Sequence, residues 1–419
     1  MNNQEAHQQL DAIRSIQKKL LGKRLSYQEI YQIMDEIKHE RLSDILMTYF
    51  VAASFKEGFS GEELYFLTKA MVETGEKMQF SGIVADKHSS GGIAGTRTTL
   101  IIVPIIAAAG FKIPKISSRA ITTAAGTADV METITKVDFS LQEVQKIVNT
   151  VGGCIVWNGK LGIAPADDAI IRVEEPLSFE SFDKIIVSVM AKKIAAGTNH
   201  LILDIPFGKT GKVRHGTDAD KIAAKFKFLG EKFKIKVVVD TDKMIEPAGN
   251  GIGPALELRD SLLVLEQNPK RPIKLEEKGL RLAGELLEIC FKTAKINKNG
   301  LTEAKKILES GQALRKFQEI VMAQGGVKEI TSDKLKIKSK VEEITAKNDF
   351  KIKEINNYNL NTLAKILGAP KDKFAGVYLR KKTGEKVKKG EIYLFLHSND
   401  KYKLKEAKET LENFPIYSY

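Results

Sequence analysis

From about residue 81 to residue 243 the chain repeats one grammar, in which glycine- and hydroxyl-rich loops alternate with apolar runs and helix-forming stretches. The apolar run TLIIVPIIAAAG is followed by KIPKISSRAITTAAGTAD. A helix is expected at LQEVQKIVNTVGG and a strand at CIVWN. A helix over 181–196 leads into the strand HLILDIPFG, and a helix near 217–231 leads into KIKVVVDT. Such alternation predicts an α/β domain with a largely parallel, buried sheet. In sheets of this kind ligands sit beyond the carboxyl ends of the strands, where loops run into helix N-termini.

The flanks read differently. Residues 1–80 are predicted all-helical, with capping boxes at Ser26/Glu29 and Ser60/Glu63 and a stop at Gly58. Amphipathic helices are expected at 254–267, 276–293 and 302–323. From about 335 the chain turns Lys-rich, with short strands at KIKEI, GVYLR and EKVKKGEIYLFLHS. The expected organisation is a helical domain (1–80 with about 160–196), a larger mixed α/β domain with a mostly parallel sheet (81–159 with 197–334), and a small α+β C-terminal subdomain (335–419). The role expected of that subdomain is packing. No internal repeat or low-complexity tract is evident.

Composition narrows the function classes. With 419 residues, 43% hydrophobic and 28% charged, the chain is globular rather than disordered. The formal charge of +13 fits either an anionic partner or a Lys-rich solvated surface. Cys154 and Cys290 lie in apolar settings and read as buried thiols, which suits a reducing, cytoplasmic compartment. The apolar run near 100–110 contains a proline and is too short to span a bilayer. No His/Cys cluster has metal-ligand spacing, and His200, His215 and His397 stand alone. No nucleic-acid-binding motif is present.

Chemistry concentrates in the loops. A phosphate site needs backbone N–H groups, hydroxyls and a cation at one concavity. DKHSSGGIAGTRTT, residues 86–99, supplies Lys87, Ser89, Thr98, Thr99, Gly91 and Gly92. SSRAITTAAGTAD, residues 117–129, adds a second loop of hydroxyls with Arg119, although Thr127 with Asp129 also suits a helix N-cap. GKTGK at 208–212 resembles the end of a P-loop but fails the motif, because Leu203 stands where its first glycine belongs. Lys209 or Lys212 remains within reach of a ligand. Ser188 and Lys192 share one helix face. That pairing allows a nucleophile–base pair, a polar edge for a ligand, or a solvated stripe, and spacing alone does not choose.

DKHSSGG, ISSRAITTAAGTAD, PADDAIIRVEEPLS, SVMAKKIAAG and GNGIGPALELRD, in this order, resemble the thymidine/pyrimidine nucleoside phosphorylase superfamily, and most of all its AMP phosphorylase branch. The resemblance covers essentially the whole chain. It implies a homodimer with the active site in a cleft between a helical and an α/β domain. It also implies phosphorolysis without an organic cofactor or metal, AMP and phosphate giving adenine and ribose 1,5-bisphosphate. By the resemblance, phosphate-binding positions fall on Lys87, Ser89, Thr99, Ser117 and Thr127, and a histidine beside the sugar and base falls on His88. Nucleotide-binding positions fall on Gly92, Ser118, Arg119, Ala120, Ile121, Thr122, Thr123, Thr127, Ser188 and Lys212, and a base-contacting lysine of the pyrimidine enzymes falls on Lys192.

Three departures stand out. The proton-donating aspartate is replaced by Glu180, which is expected to act as general acid but which also reads as a first-turn helix carboxylate. Glu175 replaces a basic residue. The extra N-terminal domain of many archaeal AMP phosphorylases is absent, so the assemblies tied to it are not expected. Arg97 is expected to receive the substrate's own phosphate, with Lys212 and Arg119. The alternatives are a thymidine or pyrimidine nucleoside phosphorylase, or a catalytically lapsed nucleotide-binding paralogue. The related transferase acting on anthranilate has a similar two-domain shape, but its acidic diphosphate–metal site is not evident here.

Overall fold

The computed structural model describes residues 3–120, 123–159, 161–174 and 181–419. They divide into two units. The first comprises Met1–Gly82, Asn158–Asn199 and Lys221–Val237; the second comprises Ile83–Trp157, His200–Asp220 and Val238–Tyr419.

The first unit is helical. Helices Asn3–Leu20, Tyr27–Lys38, Asp44–Glu57 and Gly61–Glu73 come first, and Pro165–Glu174 and Phe182–Ala195 join them later in the chain. Both expected capping boxes form, and the Gly58 N–H closes the third helix on the Ser54 carbonyl. Ile30, Ile33, Met34 and Ile37 recur at the helical period and are buried, as are Leu64, Leu67 and Met71 on the helix packed against them. Glu63 has a second task besides its cap. Its carboxylate takes the Lys19 ammonium at 2.9 Å and the Leu25 N–H at 3.1 Å, inside the bundle.

The second unit is built on parallel strands. Ala85–Ser89 pairs with His200–Phe207, with Ser89 opposite Asp204, and Ile113–Ser117 pairs with Gly153–Trp157. A parallel bridge between Val84 and Lys112 ties the two pairs together, and Lys236–Lys243 lies beyond His200–Phe207. These strands are largely buried and apolar, as a sheet covered on both faces requires. The run after the first glycine loop is a helix, Thr99–Ala108, buried over most of its length even though it contains Pro104. It packs on helices Pro254–Leu265, Ile273–Ala294 and Gln312–Ala323, so Leu100–Ile106, Leu262, Leu282, Leu286 and Phe317 share one core. The single helix expected over 302–323 is two, Gly300–Glu309 and Gln312–Ala323. Gly311, at φ 72°, breaks them in a conformation that glycine adopts without strain.

The C-terminal region belongs to this same unit. Its antiparallel sheet runs in the order Gly251–Ile252, Gly376–Leu379, Ile392–Ser398, Lys340–Thr345, so a piece of the α/β domain forms its edge. The strand expected at KIKEI is divided. Phe350–Lys351 pairs with Lys386–Val387, and Glu354–Ile355 pairs with Tyr417–Ser418. Helices Asn357–Ile366 and Lys401–Asn413 pack on each other, and each also lies against one of this sheet's strands.

Candidate functional site

Lys87 and Ser89 lie two residues apart on one strand, so they share a face, with Asp86 and His88 on the other. Both meet one carboxylate. Ser89 Oγ donates to Asp204 Oδ2 at 2.9 Å, and Lys87 Nζ lies 3.6 Å from the same oxygen. Burial pushes the Lys87 ammonium down to about 8, helped by the nearby Lys278 and Arg97 cations, and Asp204 opposes this. Burial alone would raise Asp204, but Lys87, Lys278 and the Ser89 hydrogen bond hold it below the ordinary carboxylate range. The strand then runs into the glycine loop. Among the described residues, Ser90 Oγ and Thr98 Oγ1 are buried without a hydrogen-bond partner. Such atoms are costly unless a ligand satisfies them. Thr99 opens the buried helix that follows.

Gly92 brings a second loop close. At φ +88°, a Cβ there would sit 2.7 Å from both the backbone nitrogen and the Cβ of Lys212. Only glycine allows the 86–99 and 208–212 loops to approach so far. The second of these is a turn held by Gly208 N–H to Val213 O and Gly211 N–H to Gly208 O.

The 117–129 loop has a different organiser from the one expected. Gly126, not Thr127, is the N-cap of the short helix Thr127–Met131. Asp129 folds the loop back on itself by accepting the N–H groups of Ala120 (2.7 Å) and Gly126 (2.9 Å). Ser117 ends its strand opposite Trp157, and Ser118 and Thr123 lie in the same loop, where Thr123 Oγ1 donates to the Ala125 carbonyl. Ile121 and Thr122 lie outside the described residues.

The two arginines expected at a substrate phosphate are engaged with protein. Arg97 donates from Nε to Glu257 (2.8 Å), from Nη1 to Thr127 Oγ1 (2.9 Å) and from Nη2 to Ala125 O (2.6 Å). All three nitrogens are occupied, so the residue braces the 86–99 loop against the 117–129 loop and helix Pro254–Leu265. Arg119 forms a two-pronged pair with Glu132 at 2.6 and 2.8 Å and lies over the Trp157 ring. Each arginine is thus paired with a carboxylate that the sequence pattern did not reveal, Glu257 for Arg97 and Glu132 for Arg119.

In the helical unit, Ser188 and Lys192 do share a face, and Asp167 joins them. Ser188 Oγ donates to Asp167 Oδ2 at 2.6 Å, and Lys192 Nζ lies 2.7 Å from the same atom. Burial would lower Lys192, but Asp167 and Asp168 raise it above the ordinary lysine value. The Ser188 hydroxyl and the Lys192 ammonium thus meet one carboxylate oxygen, an arrangement that suits a polar edge for a ligand. Asp167 Oδ1 is buried without a hydrogen-bond partner among the described residues. Asp167, Asp204 and Lys278 are the residues that sequence reasoning missed. PADD was legible as a motif, but nothing in its spacing marked which aspartate pointed inward. Glu175 and Glu180 lie outside the described residues.

The lone histidines are accounted for. His200 Nε2 meets Thr293 Oγ1 at 2.7 Å, His397 Nδ1 meets Ser339 Oγ at 3.0 Å, and His215 is exposed.

Comparison with known proteins agrees with this architecture. Residues 13–75 match the helical bundle domain of a glycosyl transferase family, and residues 81–314 match its a/b domain. Residues 351–416 match the pyrimidine nucleoside phosphorylase C-terminal domain. The chain belongs to this glycosyl transferase family and is an enzyme of its nucleoside phosphorylase type. It is 42% identical over 399 residues to AMP phosphorylase 1 of Archaeoglobus fulgidus, covering 95% of this chain and 78% of that one. It is 41% identical to the AMP phosphorylase of Methanocaldococcus jannaschii, over 94% of this chain and 77% of that one. A provisionally named thymidine phosphorylase of Legionella pneumophila is 40% identical, over 96% and 77%. In fold, the chain is similar to anthranilate phosphoribosyltransferase from Thermus thermophilus, with a TM-score of 0.62 at 18% identity, over 74% of this chain and 99% of that one.

Proposed function

We propose that the protein catalyses phosphorolysis of AMP, in which inorganic phosphate attacks the anomeric carbon, adenine leaves, and ribose 1,5-bisphosphate forms. The observation that carries this reading is the 86–99 stretch, in which Lys87 is buried and the hydroxyls of Ser90 and Thr98 are buried with no hydrogen-bond partner among the described residues. An anion with several lone pairs satisfies that donor set. The nucleotide relatives, alike over some 95% of the chain, supply the substrate class.

Breaking the glycosidic bond places positive charge on the sugar and negative charge on the base. Lys87, with Ser89, Ser90, Thr98 and Thr99, takes the attacking phosphate, and Ser117 and Thr127 border it. The Asp167–Ser188–Lys192 group offers a protonated lysine and a hydroxyl to polar atoms of the nucleoside. Lys212, beside Gly92, takes over the 5′-phosphate contact expected of Arg97. Glu180 is assigned the proton for the departing purine, with His88 beside the sugar. The reaction balances with phosphate and nucleotide alone. We extend the reading to a cytoplasmic homodimer, whose assembly light scattering of the purified protein tests.

The test is release of base from AMP, CMP, UMP, adenosine, uridine and thymidine in the presence of phosphate. AMP is expected to be the best substrate. Preference for uridine or thymidine would favour the pyrimidine reading, which the Legionella relative keeps in view. Glu180→Gln is expected to lower kcat about 100-fold with AMP, in the range of a lost general acid. An unchanged rate would return Glu180 to a helix-end carboxylate.

A further inference from the structure

Behind the candidate phosphate residues runs a row of alternating charges, all within the second unit, buried at Lys87, Asp204 and Lys278 and opening to solvent at Asp242 and Arg281. Lys87 faces Asp204 at 3.6 Å. Lys278, on helix Ile273–Ala294, reaches Asp204 Oδ1 at 2.9 Å and Asp242 at 3.3 Å. Arg281, one turn along, pairs with Asp242 at 2.7 Å and with Asp240. Lys87, Asp204 and Lys278 are each less than 5% exposed. A buried ion row is a poor way to hold a helix on a sheet, since apolar side chains of similar volume do so with no desolvation cost. The row ends at the loop whose Ser90 and Thr98 hydroxyls have no partner among the described residues.

We propose that Asp204 and Lys278 are positioning residues that fix the charge and place of Lys87 and Ser89 for the incoming phosphate, an inference that rests on the phosphorolysis reading. Asp204 stands in register with Ser89 and holds three residues of this stretch, Lys87, Ser89 and Ser90. Its carboxylate takes the Ser89 hydroxyl and the Lys87 ammonium, and its backbone carbonyl takes the Ser90 N–H at 2.9 Å. When the Ser89 hydroxyl turns to a phosphate oxygen, Asp204 keeps its ion pairs with Lys87 and Lys278.

Lys278 has the opposite effect on the same lysine. The charged groups that bear on Lys87 are Asp204 from strand His200–Phe207, Lys278 from its helix and Arg97 from the loop, while Asp240, Asp242 and Arg281 stand further along the row. Asp204 keeps the proton on Lys87, whereas Lys278 and Arg97 loosen it. Removing either partner should therefore move the titration of Lys87 in opposite directions, which a generic packing defect does not do.

The experiment is isothermal calorimetry of inorganic phosphate binding to the full-length protein, from neutral pH to about pH 9.5. Each variant is compared with wild type at every pH, so that the ionisation of phosphate itself cancels. Asp204→Asn keeps the shape and removes the charge. It is expected to weaken phosphate binding roughly tenfold at neutral pH, with the alkaline fall-off at lower pH than in wild type. Lys278→Met should move that fall-off to higher pH. The double variant removes one charge of each sign and should lie nearer wild type than Asp204→Asn alone. In steady state, KM for phosphate should rise in Asp204→Asn while KM for AMP stays within about twofold.

Shifts in the same direction for both single variants, or none, would overturn the proposal. If Asp204→Asn fails to fold, the sign of the Lys278→Met shift decides alone. A wild-type protein that binds phosphate with this profile but releases no adenine from AMP would sink the functional reading while leaving the charge row standing.

Discussion

Asp167 accepts Ser188 and Lys192 at one oxygen and leaves the other buried without a hydrogen-bond partner among the described residues. Replacing it by asparagine removes the nearer of the two counter-charges of Lys192 and leaves Asp168 at 3.6 Å. Asp167→Asn is expected to raise KM for the nucleotide about tenfold or more and to leave KM for phosphate near its wild-type value, measured by varying each substrate in turn. Glu63 makes a comparable point about stability. Burial would raise its carboxyl, but Lys19 and the N–H groups of Ser60 and Leu25 hold it below the ordinary 4.5. A lowered folded value means its contribution is complete above about pH 4.5 and fades as the pH falls below that. Glu63→Gln is expected to cost about 3 kcal/mol at neutral pH, as for a broken buried pair. In thermal melts the gap to wild type should narrow on acidification. A gap that widens towards low pH would show that the carboxylate is not what stabilises the bundle.

At the scale of elements, the loops are set by what they approach. Gly92→Ala adds a Cβ that meets the Lys212 backbone at 2.7 Å, at a φ of +88° that alanine resists. The variant should fold, with the 86–99 and 208–212 loops pushed apart. KM for both phosphate and AMP is expected to rise several-fold, more than the change in melting temperature accounts for. Helices and strands were legible because they obey periods that any reader can count: the capping boxes, the Leu141–Val151 helix, and the strands Gly153–Trp157 and His200–Phe207 all sit where the pattern puts them. The lysine and hydroxyls of the first loop were legible as chemistry. Their partners were not. Asp204 lies 115 positions beyond Ser89 and Glu257 lies 160 beyond Arg97, and no local spacing reports that a parallel register or a helix end will bring them together. For the same reason the bracing contacts of Arg97 with Glu257, Thr127 and Ala125 were not foreseen.

At the scale of the whole molecule, the C-terminal region does more than pack. Along one face of helix Asn357–Ile366, Asn361 Oδ1 accepts the Ala124 N–H at 3.0 Å, and Asn357 donates to Thr210. Lys373 pairs with Asp129 at 3.3 Å and Glu132 at 2.7 Å. Lys382 donates to the carbonyls of Pro247 and Gly249, whose stretch in turn binds Gly95 and Thr96 through main-chain N–H groups. Asn361→Ala strands a buried N–H and is expected to cost about 1–3 kcal/mol in denaturant titrations, with KM values raised through the 117–129 loop. Unchanged kinetics in a destabilised variant would confine Asn361 to packing. These contacts also set an order of events during synthesis. A ribosome delivers Lys87 and the glycine loops early, but the side chains that hold those loops in shape emerge some 240 residues later. Until then the nascent chain carries a half-built anion site with open hydroxyls and an uncovered apolar helix, a surface that a chaperone would shelter. Competence to turn over substrate should therefore arrive late and abruptly, once residues 357–382 have left the exit tunnel, rather than growing in step with chain length.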